Sequence, residues 1–101
     1  MSVAGSYDCV TKSPMGDQKS IFSVVPGADG TSFTGTNAGG MGTLEVLDGK
    51  IDGDTLSWRM EMTVPMPLTL NATATIDGDT LTGTVNAGAF GDMPMTGTRV
   101  G

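Results

Sequence analysis

Leu56-Ser57-Trp58-Arg59-Met60-Glu61-Met62-Thr63-Val64 changes from apolar to polar at every step. Successive side chains of a strand point to opposite faces, so this period of two predicts a half-buried β-strand. Leu56, Trp58, Met60, Met62 and Val64 share one face, and Thr55, Ser57, Arg59, Glu61 and Thr63 share the other. The pattern repeats downstream. Leu68, Leu70, Ala72, Ala74 and Ile76 oppose Thr69, Asn71, Thr73, Thr75 and Asp77, and Leu81, Gly83, Val85 and Ala87 oppose Thr80, Thr82, Thr84 and Asn86. Nowhere do apolar residues recur at the spacing of a helix face, so the chain is predicted to be all-β.

The segments between these runs carry turn chemistry. Of the 11 acidic residues, nine are aspartates, and all but Asp8 lie in glycine-rich stretches such as Ala28-Asp29-Gly30, Asp48-Gly49, Asp52-Gly53-Asp54, Asp77-Gly78-Asp79 and Gly91-Asp92. Asp-Gly suits hairpin turns, because glycine accepts a positive φ and the Asp side chain bonds its own backbone. The net charge of −6 is therefore mostly a product of turns. Asp-Gly-Asp lacks the further aspartates and the distal Glu of a calcium loop, and no metal site is predicted.

Eight strands follow, at about 3–11, 18–25, 31–37, 42–48, 50–52 running through 54–64, 67–77, 79–87 and 93–100. Residues 42–52 read equally as one strand or as a strand and a stub. Ile51-Asp52-Gly53-Asp54-Thr55-Leu56 and Ile76-Asp77-Gly78-Asp79-Thr80-Leu81 echo each other 25 residues apart, a repeated hairpin unit. Short connections make sequence neighbours sheet neighbours. An eight-stranded meander leaves two exposed edges unless its first and last strands pair. Closure into an antiparallel up-and-down β-barrel removes them, and glycines within strands (Gly5, Gly35, Gly83, Gly97) suit a tightly coiled sheet. A β-sandwich is the alternative. The 101 residues fit a single domain, 1–101.

Composition narrows the functions. No run of 18 apolar residues exists, so no membrane span is expected, and an acidic chain lacks the basic footprint of a nucleic-acid binder. The single cysteine forms no internal disulfide, and without histidine the common zinc sets and nucleophile–histidine pairs are missing. No cofactor is expected. The N-terminus carries no signal-peptide pattern, as expected of a cytoplasmic protein or a trimmed secreted one.

Gly5-Ser6-Tyr7 on the first strand and Arg99 on the last resemble the Gly-x-Trp motif and partnering basic residue of the calycin superfamily, with Tyr in place of Trp. Gly27-Ala28-Asp29-Gly30 with Thr34-Gly35-Thr36 resembles the second hairpin of bacterial avidins, and Leu56-Ser57-Trp58 resembles their Leu-Gly-Trp strand. The resemblance implies a bacterial small barrel in which Tyr7 and Arg99 pack across one end as a lock. It does not carry the biotin site over. There is one tryptophan, Met62 stands where that strand's second would be, and Asn37 replaces the tyrosine after Thr-Gly-Thr.

Eight methionines are the strongest remaining signal. Met41, Met60, Met62, Met66, Met93 and Met95 fall in the middle and last parts of the chain, and the thioether suits an adaptable apolar pocket as well as plain core filling. Three functions follow. The first is a small-molecule-binding barrel with a methionine-rich interior, lined by Phe33, Trp58, Met60, Met62, Leu68, Leu70, Met93 and Met95, taking a small apolar ligand. The second is an assembly module in which Met-Pro segments and the Arg59/Glu61 face join subunits of a homo-oligomer. The third is a cofactor-free lyase, isomerase or cyclase using Tyr7, Asp8 and Arg99 inside the barrel. Cys9 alternates with Tyr7 and reads as a buried small hydrophobe.

Overall fold

The computed structural model describes residues 3–13, 16–39, 42–62, 67–88 and 91–100, with the backbone alone for Ser13 and Met62. Nine strands occupy these residues: β1 (Gly5–Ser13), β2 (Gly16–Pro26), β3 (Ser32–Gly39), β4 (Gly42–Glu45), β5 (Leu47–Asp52), β6 (Thr55–Met62), β7 (Leu68–Asp77), β8 (Thr80–Asn86) and β9 (Asp92–Arg99). They form one sheet in the order β2-β1-β9-β8-β7-β6-β5-β3-β4, and a further β2–β3 pairing closes it on itself. All pairings are antiparallel. First and last strands meet as Tyr7↔Arg99, Cys9↔Gly97 and Thr11↔Met95. Closure excludes the sandwich, which would need two sheets.

β4 and β5 are two parts of one strand. Both lie along β3, through Asn37↔Leu44 and Phe33↔Gly49, and the Val46 amide between them donates to the Gly35 carbonyl over 3.0 Å. Counted so, the barrel has eight strands.

Two expectations change here. Residues 50–52 do not run on into 54–64, because Asp52↔Thr55 closes a hairpin with Gly53 at φ 61°. Asp48-Gly49 is a bulge and not a turn. Between Leu47↔Arg59 and Lys50↔Ser57 the register shifts, so Asp48 and Gly49 together face Trp58, with Asp48 at φ 51°. Such a bulge bends the strand and raises its twist, which helps a small barrel close. Glycine is required at Gly49, where a Cβ would collide with the Phe33 carbonyl.

Strand alternation sorts the side chains. On β7, Leu70, Ala72, Ala74 and Ile76 are buried while Thr69, Asn71, Thr73, Thr75 and Asp77 are exposed. The core takes in Tyr7, Phe22, Val24, Phe33, Leu56, Trp58, Met60, Leu81, Val85 and Met95, and no residue that is buried as a whole among those described is polar or charged. Fully burying an aliphatic or aromatic side chain contributes about 1.5–3 kcal/mol, so this interior is the main source of stability. No helix among the described residues is long and apolar enough to cross a membrane.

Candidate ligand site

The two ends of the barrel differ. At the end holding the β2–β3, β5–β6 and β7–β8 connections, Tyr7 and Arg99 form a lid. The Tyr7 hydroxyl donates to the Val3 carbonyl over 2.8 Å and accepts from Arg99 over 2.9 Å. The guanidinium carbon lies 5.3 Å from the Tyr7 ring centroid, a cation–π geometry. Arg99 also reaches the Gly78 carbonyl at 3.4 Å and faces Asp79 at 3.7 Å.

Above this lid the barrel is filled by aromatics. Phe22 stacks on Trp58 with centroids 4.5 Å apart. Phe33 meets both edge-on, at 6.2 Å from Phe22 and 6.0 Å from Trp58, and Tyr7 lies 6.5 Å from Phe22. Offset and edge contacts of this kind favour aromatic pairs beyond their area. Small residues face them: Gly83 would drive a Cβ to 2.7 Å from that of Ala74, and Gly97 to 2.6 Å from the Cys9 sulfur.

Toward the other end, aromatics give way to thioethers and leucines. Met60, Leu70 and Met95 are buried, and Leu44, Leu68 and Met93 are half-buried against them. Register places them at one level of the barrel: Met60↔Leu70, Met62↔Leu68, Val85↔Met93 and Asn37↔Leu44. Among the described residues of this apolar end, Asn37 brings a polar side chain inward. Its amide nitrogen points across the interior to the Met60 sulfur at 3.7 Å, while its carbonyl oxygen, although buried, finds no partner among the described residues. The indole nitrogen of Trp58, a residue only 3% exposed, is unpartnered in the same sense.

Of the ligand-lining residues expected from sequence, Phe33, Trp58, Met60, Leu70 and Met95 are buried and Leu68 and Met93 half-buried inside the barrel. The Met62 side chain, and Met41 and Met66, lie outside the described residues. Phe33 and Trp58 belong to the aromatic layer, and the others to the methionine level. Tyr7 and Arg99 come together and Asp8 does not join them, since its side chain is exposed on the opposite face of β1. Both hydrogen-bonding capacities of the Tyr7 hydroxyl are engaged in the lid. Burial, reinforced by the Asp8 charge, pushes the Cys9 thiol up to about 11, the state of an inert thiol. Arg59, on the outer face, pairs with Asp48 of the bulge at 3.1 Å; Glu61 is exposed.

Sequence reading left Phe22, Leu44 and Asn37 out of the lining. Asn37 has the parity of Phe33 and Gly35 along β3, which was signal enough to turn it inward. Compared with known proteins, the chain matches no family model, no curated protein and no solved structure. The architecture defines a closed antiparallel β-barrel, calycin- and avidin-like at the level of fold. Such a barrel is suited in general to holding a small molecule.

Proposed function

We propose that the protein is a binding module that takes a small, mainly apolar molecule into the methionine-lined end of its barrel. The observation that supports this is the asymmetry of the two ends. Tyr7 and Arg99 seal one with hydrogen bonds and a stacked cation, whereas Met60, Leu70 and Met95 at the other pass gradually to the half-buried Leu44, Leu68 and Met93. Methionine has three rotatable bonds and a polarizable sulfur, so such an end repacks around a guest at little cost. With four aromatics filling the remainder, the guest is small.

A thermal-shift panel of toluene, cycloheptane and medium-chain alcohols tests the reading. A ligand at a hundred times its Kd adds about 2.7 kcal/mol. At about 4–8 °C per kcal/mol for a domain of this size, the midpoint rises by roughly 10 °C or more. Met60→Trp, which fills the same space, removes the rise. If no compound moves the midpoint, the binding reading fails.

A second reading, assembly of copies, draws on a surface other than the Met-Pro segments and the Arg59/Glu61 face expected from sequence. Ile21 and Val25 on the outer face of β2 are 42% and 58% exposed, an apolar pair in a mostly polar exterior and a candidate contact between copies. Sedimentation of a monomer at micromolar concentration removes this second reading.

A further inference from the structure

The interior contains two hydrogen-bonding groups that find no partner among the described residues. Buried polar groups in native proteins nearly always find partners, and an orphaned one costs more than a typical hydrogen bond contributes. Here two occur on inward-facing residues of the barrel wall: the Asn37 carbonyl oxygen, an acceptor, and the Trp58 indole N–H, a donor. They are neighbours through shared contacts. Asn37 lies directly across the β2–β3 ladder from Phe22, Phe22 stacks on Trp58, and Met60, two positions from Trp58 on the same face, holds the Asn37 amide nitrogen. The sulfur thus takes the donor end of the amide and turns its acceptor end to the interior. Asn37 reaches Met60 past β4 and β5, so its side chain lies inside the barrel.

Resting on the binding reading above, we infer that the interior selects a small molecule carrying an N–H donor beside a carbonyl acceptor on one edge, the chemistry of a lactam. The N–H donates to Asn37 Oδ1, the carbonyl accepts from Trp58 Nε1–H, and the apolar ring lies against Met60 and Leu70. A cyclic amide is favoured over an open one because its cis geometry puts donor and acceptor on the same edge. The polar pair accounts for a position that packing alone would fill with leucine.

The probes are ε-caprolactam, N-methylcaprolactam and toluene, titrated into ¹⁵N-labelled protein. The single tryptophan gives one indole N–H resonance, which reports directly on the donor. Caprolactam is expected to move that resonance saturably and to bind about tenfold more tightly than its N-methyl analogue, the ratio for one lost buried hydrogen bond. Asn37→Leu is expected to melt at or above the wild-type temperature and to bring the ratio near one. The wild-type comparison of the two lactams needs no variant to fold. Toluene separates the two levels of the proposal. If toluene and both lactams bind alike, the lactam inference is overturned and the binding reading survives; if none binds, both fall. A thermal shift by caprolactam with an unmoved indole resonance places the molecule elsewhere and overturns the inference as well.

Discussion

Arg99 donates a hydrogen bond to the Tyr7 hydroxyl over 2.9 Å, although 92 residues separate them, and the two are register partners across the seam where the last strand meets the first. The same hydroxyl donates to Val3, so one phenol ties the entering chain to the seam. The seam therefore carries a side-chain fastening besides its backbone ladder.

Tyr7→Phe removes both bonds and keeps the ring. Leaving the Val3 carbonyl short of a buried partner costs about 1–3 kcal/mol, read as a lower urea midpoint with an unchanged slope. A variant as stable as wild type shows that the fastening contributes nothing.

Cys9 and Gly97 face each other across the same seam. An added methyl at Gly97 sits 2.6 Å from the Cys9 sulfur, so Gly97→Ala is expected to cost about 1–3 kcal/mol by overpacking. Combined with Cys9→Ala, which removes the sulfur, part of that loss returns. A double-mutant cycle checks it, with a coupling of about 0.5–3 kcal/mol expected for side chains in contact.

The buried thiol also sets an alkaline dependence. The folded protein holds the Cys9 proton up to about 11, against 9.0 for a free thiol. Between those values the unfolded chain releases a proton that the native state keeps, so stability falls as pH rises through this window. Denaturation from pH 8 to 11 is expected to show a steeper decline in wild type than in Cys9→Ala. At pH 8 the native thiol resists a disulfide reagent, and the urea-unfolded chain reacts at once.

At the β2–β3 turn the sign is reversed. Asp29 accepts from the Thr31 amide at 3.0 Å, the Ser32 amide at 3.0 Å and the Ser32 hydroxyl at 2.9 Å, and the Thr31 amide bond first, then the Ser32 bonds, lower its pKa. A carboxylate so held stabilises the fold above its unfolded pKa, and the contribution disappears as pH falls through the lower folded value. Asp29→Ala is expected to be less stable than wild type at pH 6 and to converge on it in strong acid, by thermal denaturation across pH. Parallel curves at all pH values contradict this role.

Alternation along Leu56–Met62 and Leu68–Asp77 made the inward residues legible, because a period of two leaves no freedom once one face is buried. Paired Asp-Gly turns at Gly53 and Gly78 were legible for the same local reason, and the structure gives both glycines nearly the same φ, 61° and 62°. The bulge at Asp48-Gly49 was not. Its dipeptide is a turn signal too, and only the close approach of Phe33 to Gly49, its partner on β3, marks that the strand continues there. Asn37 was legible in parity but not in consequence, since its unused oxygen depends on Met60, 23 residues away. The lid of Tyr7 and Arg99 came from resemblance, as no local pattern links residues so distant in sequence.

Binding as proposed needs a barrel closed at its seam whose methionine end admits a guest. A crystal pressurised with xenon, an apolar atom that seeks buried apolar space, tests this most directly. The expected result is xenon bound inside the barrel in contact with Met60, Leu70 and Met95, displaced when toluene is added. Xenon found only on the outer surface, or nowhere, contradicts it.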